Sequence, residues 1–225
     1  MIDKGIKAIC FDIDGTLYPD WQTNLYVGLS FLSAPFFALK YNNARKEIRK
    51  ADGFDLKDPL KVEDFRAKEF RYMGGSSYAS YLANYEKKLL KPWNRNIKLL
   101  SKYAYVEETL KLLKDKGYVL GALSDFPLSN KLEILGLDKY FSYTASCEDC
   151  GFLKPNPTPL VKMASDMGLK TEEIIYVGNS YRKDIVGSNR ANIKAIHIPA
   201  KKSETKHYFP NWKKFYNFVV GEILC

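Results

Sequence analysis

The second half of the chain alternates short apolar runs with amphipathic helical patterns, and this alternation restricts the fold more than any other feature of the sequence. From residue 106 onward, helical segments stopped by glycine and strand-like runs follow one another in strict turn. Such a pattern predicts right-handed βαβ crossovers and a parallel sheet covered on both faces. The predicted helices span residues 106–116, 129–135, 158–167 and 184–191, and the predicted strands span residues 118–123, 141–145, 173–177 and 194–198.

A further strand is predicted much earlier, over residues 6–13, where a mostly apolar run without helical period lies between Gly5 and Gly15. Residues 20–102 then have helical patterns and few β-like stretches, and the apolar residues after position 212 recur at helical spacing. The first strand therefore belongs with the second half of the chain. We expect a doubly wound, Rossmann-like α/β core made of residues 1–19 and 103–225, with residues 20–102 inserted as an α-helical cap domain.

Charge and hydropathy limit the partners. The net charge of +9 favours negative partners such as phosphorylated metabolites, nucleic acid or anionic membranes. The lysines are spread along the chain without a dense basic arm, so we expect no nucleic-acid partner and interpret the excess charge as a solvated basic surface. The apolar segment 25–39 is shorter than the roughly 20 residues of a spanning helix and contains Gly28 and Pro35. We interpret it as a buried helix or a hydrophobic lid, and we expect no membrane partner.

The cysteines indicate a reducing compartment. Four cysteines in a chain of this length, without a signal-peptide start, favour the cytoplasm over a disulfide framework. Cys147 and Cys150 form a lone CxxC motif, and the remaining Cys and His residues are not at the spacing of a zinc site. We interpret the pair as incidental and leave open whether it has any role.

Polar residues gather where the predicted parallel strands end, which is where ligands bind in such sheets. Carboxylate and amide oxygens at strand ends suit Mg²⁺, which prefers hard ligands and retains waters. An aspartate there is also a competent nucleophile toward phosphorus. A second aspartate two positions on points to the same side of an extended strand and can serve as general acid and base. The residues at these ends, together with one lysine on a following loop, are Asp12, Asp14, Thr16, Ser124, Asp125, Lys154, Asn179 and Asp184.

The stretches FDIDGTL, LSD, LKPNP and VGNSYRKD, in this order and spacing, resemble the four motifs of the haloacid dehalogenase-like hydrolase superfamily, whose members are mostly Mg²⁺-dependent phosphatases. The resemblance covers residues 6–198 and implies a helical cap inserted after the first motif. It implies that Asp12 is the nucleophile, Asp14 the acid and base, and Lys154 the catalytic cation. The implied substrate contacts are Thr16, Ser124, Asp125 and Lys154, and the implied Mg²⁺ ligands are Asp12, Asp14, Asn179 and Asp184.

Two positions depart from the motifs. Asn179 stands where the family usually has an aspartate directly after glycine, and an amide brings no charge, so we expect weaker metal binding than two carboxylates would give. Asp125 stands where the family often has a neutral residue. That acid either discourages a phosphate dianion or points away from it.

Within this family, Asp14 favours phosphate ester hydrolysis, because the dehalogenase members lack the second aspartate. We therefore expect a phosphatase that hydrolyses a small phosphorylated metabolite through an aspartyl-phosphate intermediate. The alternatives are a non-catalytic or weakly active regulatory protein that binds a phosphorylated ligand, and a phosphomutase or phosphotransferase of the same fold. The sequence leaves open the physiological substrate and the oligomeric state.

Overall fold

A five-stranded parallel sheet forms the centre of the molecule in the computed structural model, which describes residues 5–58, 63–202 and 205–221. The strand order is β3-β2-β1-β4-β5, so the first strand lies in the middle of the sheet. All four strand pairs are parallel, and β1 pairs with β2 and β4 at equivalent positions. The strands are β1 (Ala8–Phe11), β2 (Val119–Ser124), β3 (Tyr143–Ser146), β4 (Ile174–Gly178) and β5 (Lys194–His197).

Between β1 and β2 the described residues form helices and contain no strand of the sheet. Short breaks separate the helices: Pro35 begins the second one, and Gly53 and Gly74, both with positive φ, end the second and third. The side chains of Asp64 and Ser77 accept hydrogen bonds from the first turns that follow them. The helices are α1 (Asp20–Phe31), α2 (Pro35–Asp52), α3 (Phe65–Met73), α4 (Tyr78–Tyr85) and α5 (Lys91–Asn96), with a π-helical turn over Glu86–Leu90.

The remaining helices cover the two faces of the sheet. Successive side chains of a strand point to opposite faces, so the apolar residues of each strand must be buried on both sides. Ile9 and Phe11 point to one face, while Ala8 and Cys10 point to the other. The first face packs on the helices that contain Leu110 and Phe215, and the second face packs on the helix that contains Leu160 and Met163. These helices are α6 (Val106–Asp115), α7 (Lys131–Ile134), α8 (Thr158–Asp166), α9 (Val186–Arg190) and α10 (Trp212–Gly221).

The predicted fold class is confirmed: the sheet is parallel, helices lie on both faces, and a helical segment is inserted after the first strand. The predicted strands and helices of the second half agree with the observed ones to within a few residues. Within the insert, the sequence predicts a helix over residues 62–72; the observed α3 begins at Phe65, and residue 62 lies outside the described residues. The predicted helix over 184–191 also begins late, at Val186, because a π-helical turn occupies Tyr181–Ile185.

The apolar segment 25–39 is not one buried helix. The interpretation as a buried helix is wrong for the residues of this segment that face outward. The end of α1 and the start of α2 divide the segment, and Leu32 and Phe36 are 75% and 82% exposed. Phe31 and Ala38 instead line a cavity over the ends of the strands, as the alternative of a hydrophobic lid requires. Within residues 5–58, 63–202 and 205–221, none of the helices combines the length and the apolar composition needed to cross a bilayer.

Polar contacts join the inserted helices to the core at several places. The Gln22 side chain bonds the backbone and hydroxyl of Ser101, where the chain returns to the core. The Asn156 amide donates to backbone carbonyls of the segment after α2, at Asp52, Gly53 and Asp55. The insert is therefore held against the carboxyl ends of the strands.

Candidate active site

Asp12 lies directly after β1, and its backbone N–H still donates to Val177 in β4, at 2.9 Å. The chain then turns away from the sheet at Gly15, which has a φ of +89°. A side chain there would overlap the amide of Asn179, so only glycine fits this position. This turn places both predicted aspartates, Asp12 and Asp14, at the end of the central strand.

Lys154 connects the carboxylates of two neighbouring strand ends. Its buried ammonium donates to Asp12 Oδ1 at 2.8 Å, to Asp184 Oδ1 at 2.7 Å and to the Tyr176 hydroxyl at 2.8 Å. The second oxygen of Asp12 accepts the Thr16 hydroxyl at 2.8 Å. Burial raises the pKa of Asp12 to about 7, because it outweighs the lowering effect of Lys154, and Asp184 and Asp14 raise it further.

Asp14 is held by a separate set of donors. Its Oδ1 accepts from the Tyr18 hydroxyl and its Oδ2 from the Ser124 hydroxyl. The buried ammonium of Lys131 contacts both oxygens, at 2.9 and 2.8 Å. Burial alone would raise the pKa of Asp14, but the charge and hydrogen bonds of Lys131, with those of Ser124 and Tyr18, lower it below its ordinary value.

The Asp125 carboxylate is paired with the insert. Its Oδ2 accepts from Arg49 Nη2 in α2 at 2.9 Å, and its Oδ1 accepts the backbone N–H of Lys154 at 3.0 Å. Burial alone would raise the pKa of this carboxyl, yet Arg49, Lys154 and Lys183 together lower it below its ordinary value. The acid that departs from the family motif therefore has its charge offset by a cation from the inserted helices.

Asn179 and Asp184 lie after β4. The backbone carbonyl of Asn179 is 2.8 Å from His197 Nε2, which fixes the start of this loop. Asp184 Oδ2 accepts the backbone N–H of Ser180 at 2.8 Å, and its Cβ lies so close to Gly178 that a larger residue there would displace it. Within the described residues, no group of three or more His, Cys, Asp or Glu side chains is arranged to hold a metal ion. A Mg²⁺ ion here would therefore depend on two carboxylates, neutral oxygens and water.

A cavity of about 430 Å³ lies between the strand ends and the insert. Among the described residues, the walls from the insert contain one acid and no cation, whereas the floor contains four acids and two lysines. The lining residues from the insert are Asp20, Thr23, Asn24, Gly28, Phe31, Ala38 and Asn42. Those from the core are Asp12, Asp14, Asp125, Phe126, Lys154, Asn179, Lys183 and Asp184.

The structure brings all the predicted site residues to one edge of the sheet, but not all of them reach the cavity. Among the described residues, the cavity lining does not include Thr16 or Ser124, whose hydroxyls lie beneath it and bond the two aspartates. Sequence reasoning missed Lys131 and Arg49. Neither belongs to a motif, and each has the sequence appearance of an ordinary surface cation on a helix. The Cys147 and Cys150 thiols are free and buried.

The chain is similar to characterised phosphatases along most of its length. It is 30% identical over 204 residues to the pyrophosphatase PpaX of Halalkalibacterium halodurans, an alignment that covers 86% of this chain and 83% of that protein. It is 29% identical over 211 residues to the glyceraldehyde 3-phosphate phosphatase of Methanopyrus kandleri, with 86% and 84% covered.

Solved structures share the fold at lower sequence identity. A phosphatase from Thermococcus onnurineus superposes with a TM-score of 0.58 at 21% identity, covering 96% of this chain and 99% of that one. A 2-haloacid dehalogenase from Pseudomonas syringae superposes with a TM-score of 0.64 at 19% identity, with 96% and 99% covered. The sequence profile of the haloacid dehalogenase-like hydrolases matches residues 9–198. The chain belongs to the haloacid dehalogenase-like hydrolase family.

Proposed function

We propose that the protein is a Mg²⁺-dependent phosphatase that hydrolyses the phosphate ester of a small metabolite through an aspartyl-phosphate intermediate on Asp12. The observation that carries the proposal is the buried Asp12 carboxylate on the cavity floor, bonded to Lys154, with Asp14 two residues along the same strand end. The names of the relatives, one a pyrophosphatase and one a sugar-phosphate phosphatase, support phosphate as the group that is transferred.

The charges around the floor support a divalent cation. When ionised, the five aspartates at the cavity (Asp12, Asp14, Asp20, Asp125 and Asp184) carry five negative charges, while Arg49, Lys131, Lys154 and Lys183 carry four positive ones. A site with this excess of negative charge repels a phosphate dianion, and a bound Mg²⁺ would reverse the sign. Asp12, Asp184, the Asn179 amide and the Asp14 backbone carbonyl would hold the ion, which would supply charge neutralisation at the phosphoryl oxygens.

The residues of the chain divide the reaction into two steps. The Asp12 carboxylate attacks phosphorus and the bond to the leaving oxygen breaks. Asp14, which is ionised in the free protein, first takes up a proton from solvent and then gives it to that oxygen. Asp14 then accepts a proton from water as the water attacks the phosphoryl group, which releases phosphate and restores Asp12. Lys154 binds the phosphoryl oxygens that develop charge, since its ammonium already lies 2.8 Å from the nucleophile.

The inserted helices act as a cap that selects the leaving group. In the part of the insert that the structure describes, the cavity lining contains the amides of Asn24 and Asn42, the Phe31 ring and the Asp20 carboxylate, and it contains no cation. A leaving group with its own negative charge would meet no positive partner on that side. The substrate is therefore the phosphate ester of a small, uncharged, hydroxylated compound, of a size that fits within about 430 Å³.

Phosphate release from a generic aryl phosphate tests the reaction. We expect turnover with Mg²⁺, loss of turnover with EDTA, and a loss of at least about 10³-fold in kcat for Asp12→Asn, because the nucleophile is removed. The matched control is Asp115→Asn on the exposed face of α6, where the side chain is 58% exposed. Equal activity in wild type and Asp12→Asn, or activity in EDTA, would contradict the proposal. Tight binding of phosphate esters without turnover would favour a regulatory protein.

A comparison of leaving groups tests the specificity. We expect kcat/KM for glycerol phosphate or glyceraldehyde 3-phosphate to exceed that for phosphoglycolate or inorganic pyrophosphate by at least about tenfold, which corresponds to about 1.4 kcal/mol. The second pair places a carboxylate or a phosphate against a wall without cations. Faster hydrolysis of pyrophosphate would refute the assignment of the leaving group and leave the phosphatase reaction intact.

A further inference from the structure

Lys131 is a buried lysine beneath the cavity floor, and it has no role in the reaction steps described above. It begins α7, and its side chain is fully buried. The ammonium lies 2.9 and 2.8 Å from the two oxygens of Asp14 and 3.1 Å from the Ser124 hydroxyl. Because an ammonium loses its hydration when it is buried, it needs a charged partner, and Asp14 supplies that partner.

The donors around Asp14 fix the orientation of its carboxylate. Tyr18 donates to Oδ1, Ser124 donates to Oδ2, and Lys131 spans both oxygens. Lys131 therefore makes two of these four hydrogen bonds and contributes the only full positive charge among the three donors. A carboxylate with charged and neutral donors on both oxygens cannot rotate without losing several of them at once.

A second lysine performs the equivalent task for the neighbouring acids. Lys154 bonds Asp12 and Asp184 on the other side of the strand end. The three acids thus form two groups, Asp14 with Lys131 and the Asp12–Asp184 pair with Lys154. Without Lys131, the Asp14 carboxylate would be an uncompensated charge beside the other two, and repulsion would displace it from its position in the cavity wall.

We propose that Lys131 is a positioning residue that holds the Asp14 carboxylate at the leaving-group side of the cavity. It acts through Asp14 and does not touch the substrate, since the lining formed by the described residues includes Asp14 and excludes Lys131. This role rests on the proposed function of Asp14 in proton transfer. It does not depend on which phosphate ester is the substrate.

A double-mutant cycle between Lys131→Met and Asp14→Asn tests the assignment. An alkyl phosphate and an aryl phosphate are compared, so that residual turnover of the Asp14→Asn protein remains measurable with the better leaving group. We expect Lys131→Met alone to lower kcat for the alkyl phosphate by about 10- to 100-fold with KM within about twofold. In the Asp14→Asn background the same change should alter kcat by less than about twofold.

Thermal unfolding gives a readout that does not depend on activity. Lys131→Met alone should lower the unfolding temperature, because Asp14 loses its charged partner. In the Asp14→Asn background it should raise that temperature, because an unpaired buried ammonium is removed. Lys102→Met is the control, since the Lys102 side chain is 34% exposed and bonds the carbonyl of Leu135, the residue that follows α7. That variant should retain wild-type kcat.

Equal losses of kcat in the two backgrounds, or a large rise in KM, would overturn the positioning role. If Lys131→Met fails to fold alone but folds together with Asp14→Asn, the coupling is supported directly. If both proteins fail to fold, Lys131 is a packing residue and the inference is wrong. A phosphatase reaction that is insensitive to Asp12→Asn would instead refute the proposed function, whichever way the unfolding cycle comes out.

Discussion

Asn179 is the residue at which this chain departs furthest from the chemistry expected of its position. Its amide packs against Gly15 at the turn after β1, and its oxygen lies 3.5 Å from the Thr16 hydroxyl. The carboxylates nearest to the proposed ion, Asp12 and Asp184, already share one lysine. A neutral ligand at position 179 limits the negative charge that this small volume must hold.

We predict that Asn179→Asp tightens Mg²⁺ binding by about tenfold, or about 1.4 kcal/mol, because a carboxylate replaces an amide as a ligand. Without Mg²⁺ the same variant should unfold at a lower temperature, since another like charge is added beside Asp12 and Asp184. Calorimetric titration with Mg²⁺ and thermal unfolding in EDTA measure the two effects, and Asn179→Ala serves as the neutral control. Unchanged or weaker Mg²⁺ affinity would count against a ligand role for this position.

The site residues at strand ends could be predicted from the sequence, whereas the cations that bond to them could not. Asp12, Asp14 and Asp184 are close in space because parallel strands end at one edge of a sheet, which follows from the alternating pattern. Lys131 and Arg49 reach the site only because of how two helices pack. Sequence periodicity predicts that a residue lies on a helix, but it does not predict which distant acid its side chain meets.

At the scale of elements, α2 connects the insert to the core through two arginines one turn apart. Arg49 pairs with the Asp125 carboxylate at 2.9 Å. Arg45 is buried, donates to the Asp125 carbonyl and pairs with Glu69 in α3 and with Glu148 after β3. Because removing one partner from a buried ion pair leaves an uncompensated charge, this helix cannot leave the core without a large cost. The same contacts place Asn42 and Ala38 of α2 over the cavity.

The pair between Arg49 and Asp125 should make stability depend on pH. The pKa of Asp125 is lowered in the folded protein from an ordinary value of 3.8, so the ionised form stabilises the fold above about pH 4. This contribution is lost as the pH falls further and the carboxyl is protonated. We predict that Asp125→Asn lowers the free energy of unfolding by about 2 kcal/mol at pH 7, and by progressively less as the pH falls below about 4.

Denaturant unfolding of wild type and Asp125→Asn at several pH values measures this difference. Asp115→Asn is the comparison, because its pair with Lys111 on α6 is exposed and screened by solvent, so its loss should change stability little at any pH. A difference between wild type and Asp125→Asn that stays constant from pH 7 to pH 3 would show that the ion pair does not stabilise the fold.

For the whole molecule, the sequence predicted the sheet better than the insert. Buried parallel strands are near-continuous apolar runs bounded by glycine, and β1, β2 and β4 have this form. The insert has helical patterns, but its contacts with the core pass through single polar side chains such as Asn156 and Gln22. Polar side chains of this kind do not recur at regular spacing, so the helical pattern of the sequence does not predict where the insert lies relative to the strand ends. The division into a core of residues 1–19 and 103–225 and a cap of residues 20–102 stays a prediction.

The last helix also takes part in the architecture of the site. The Trp212 indole N–H donates to the backbone carbonyl of Thr16 at 2.9 Å, and its ring stacks on Phe11 in β1. The loop that carries both aspartates proposed as catalytic is therefore supported by a residue about 200 positions later in the chain. While α10 is still inside the ribosome, the nascent chain already contains every proposed reacting group but lacks the contact between Trp212 and Thr16. Hydrolytic competence should accordingly wait until α10 has been made and has packed beneath this loop.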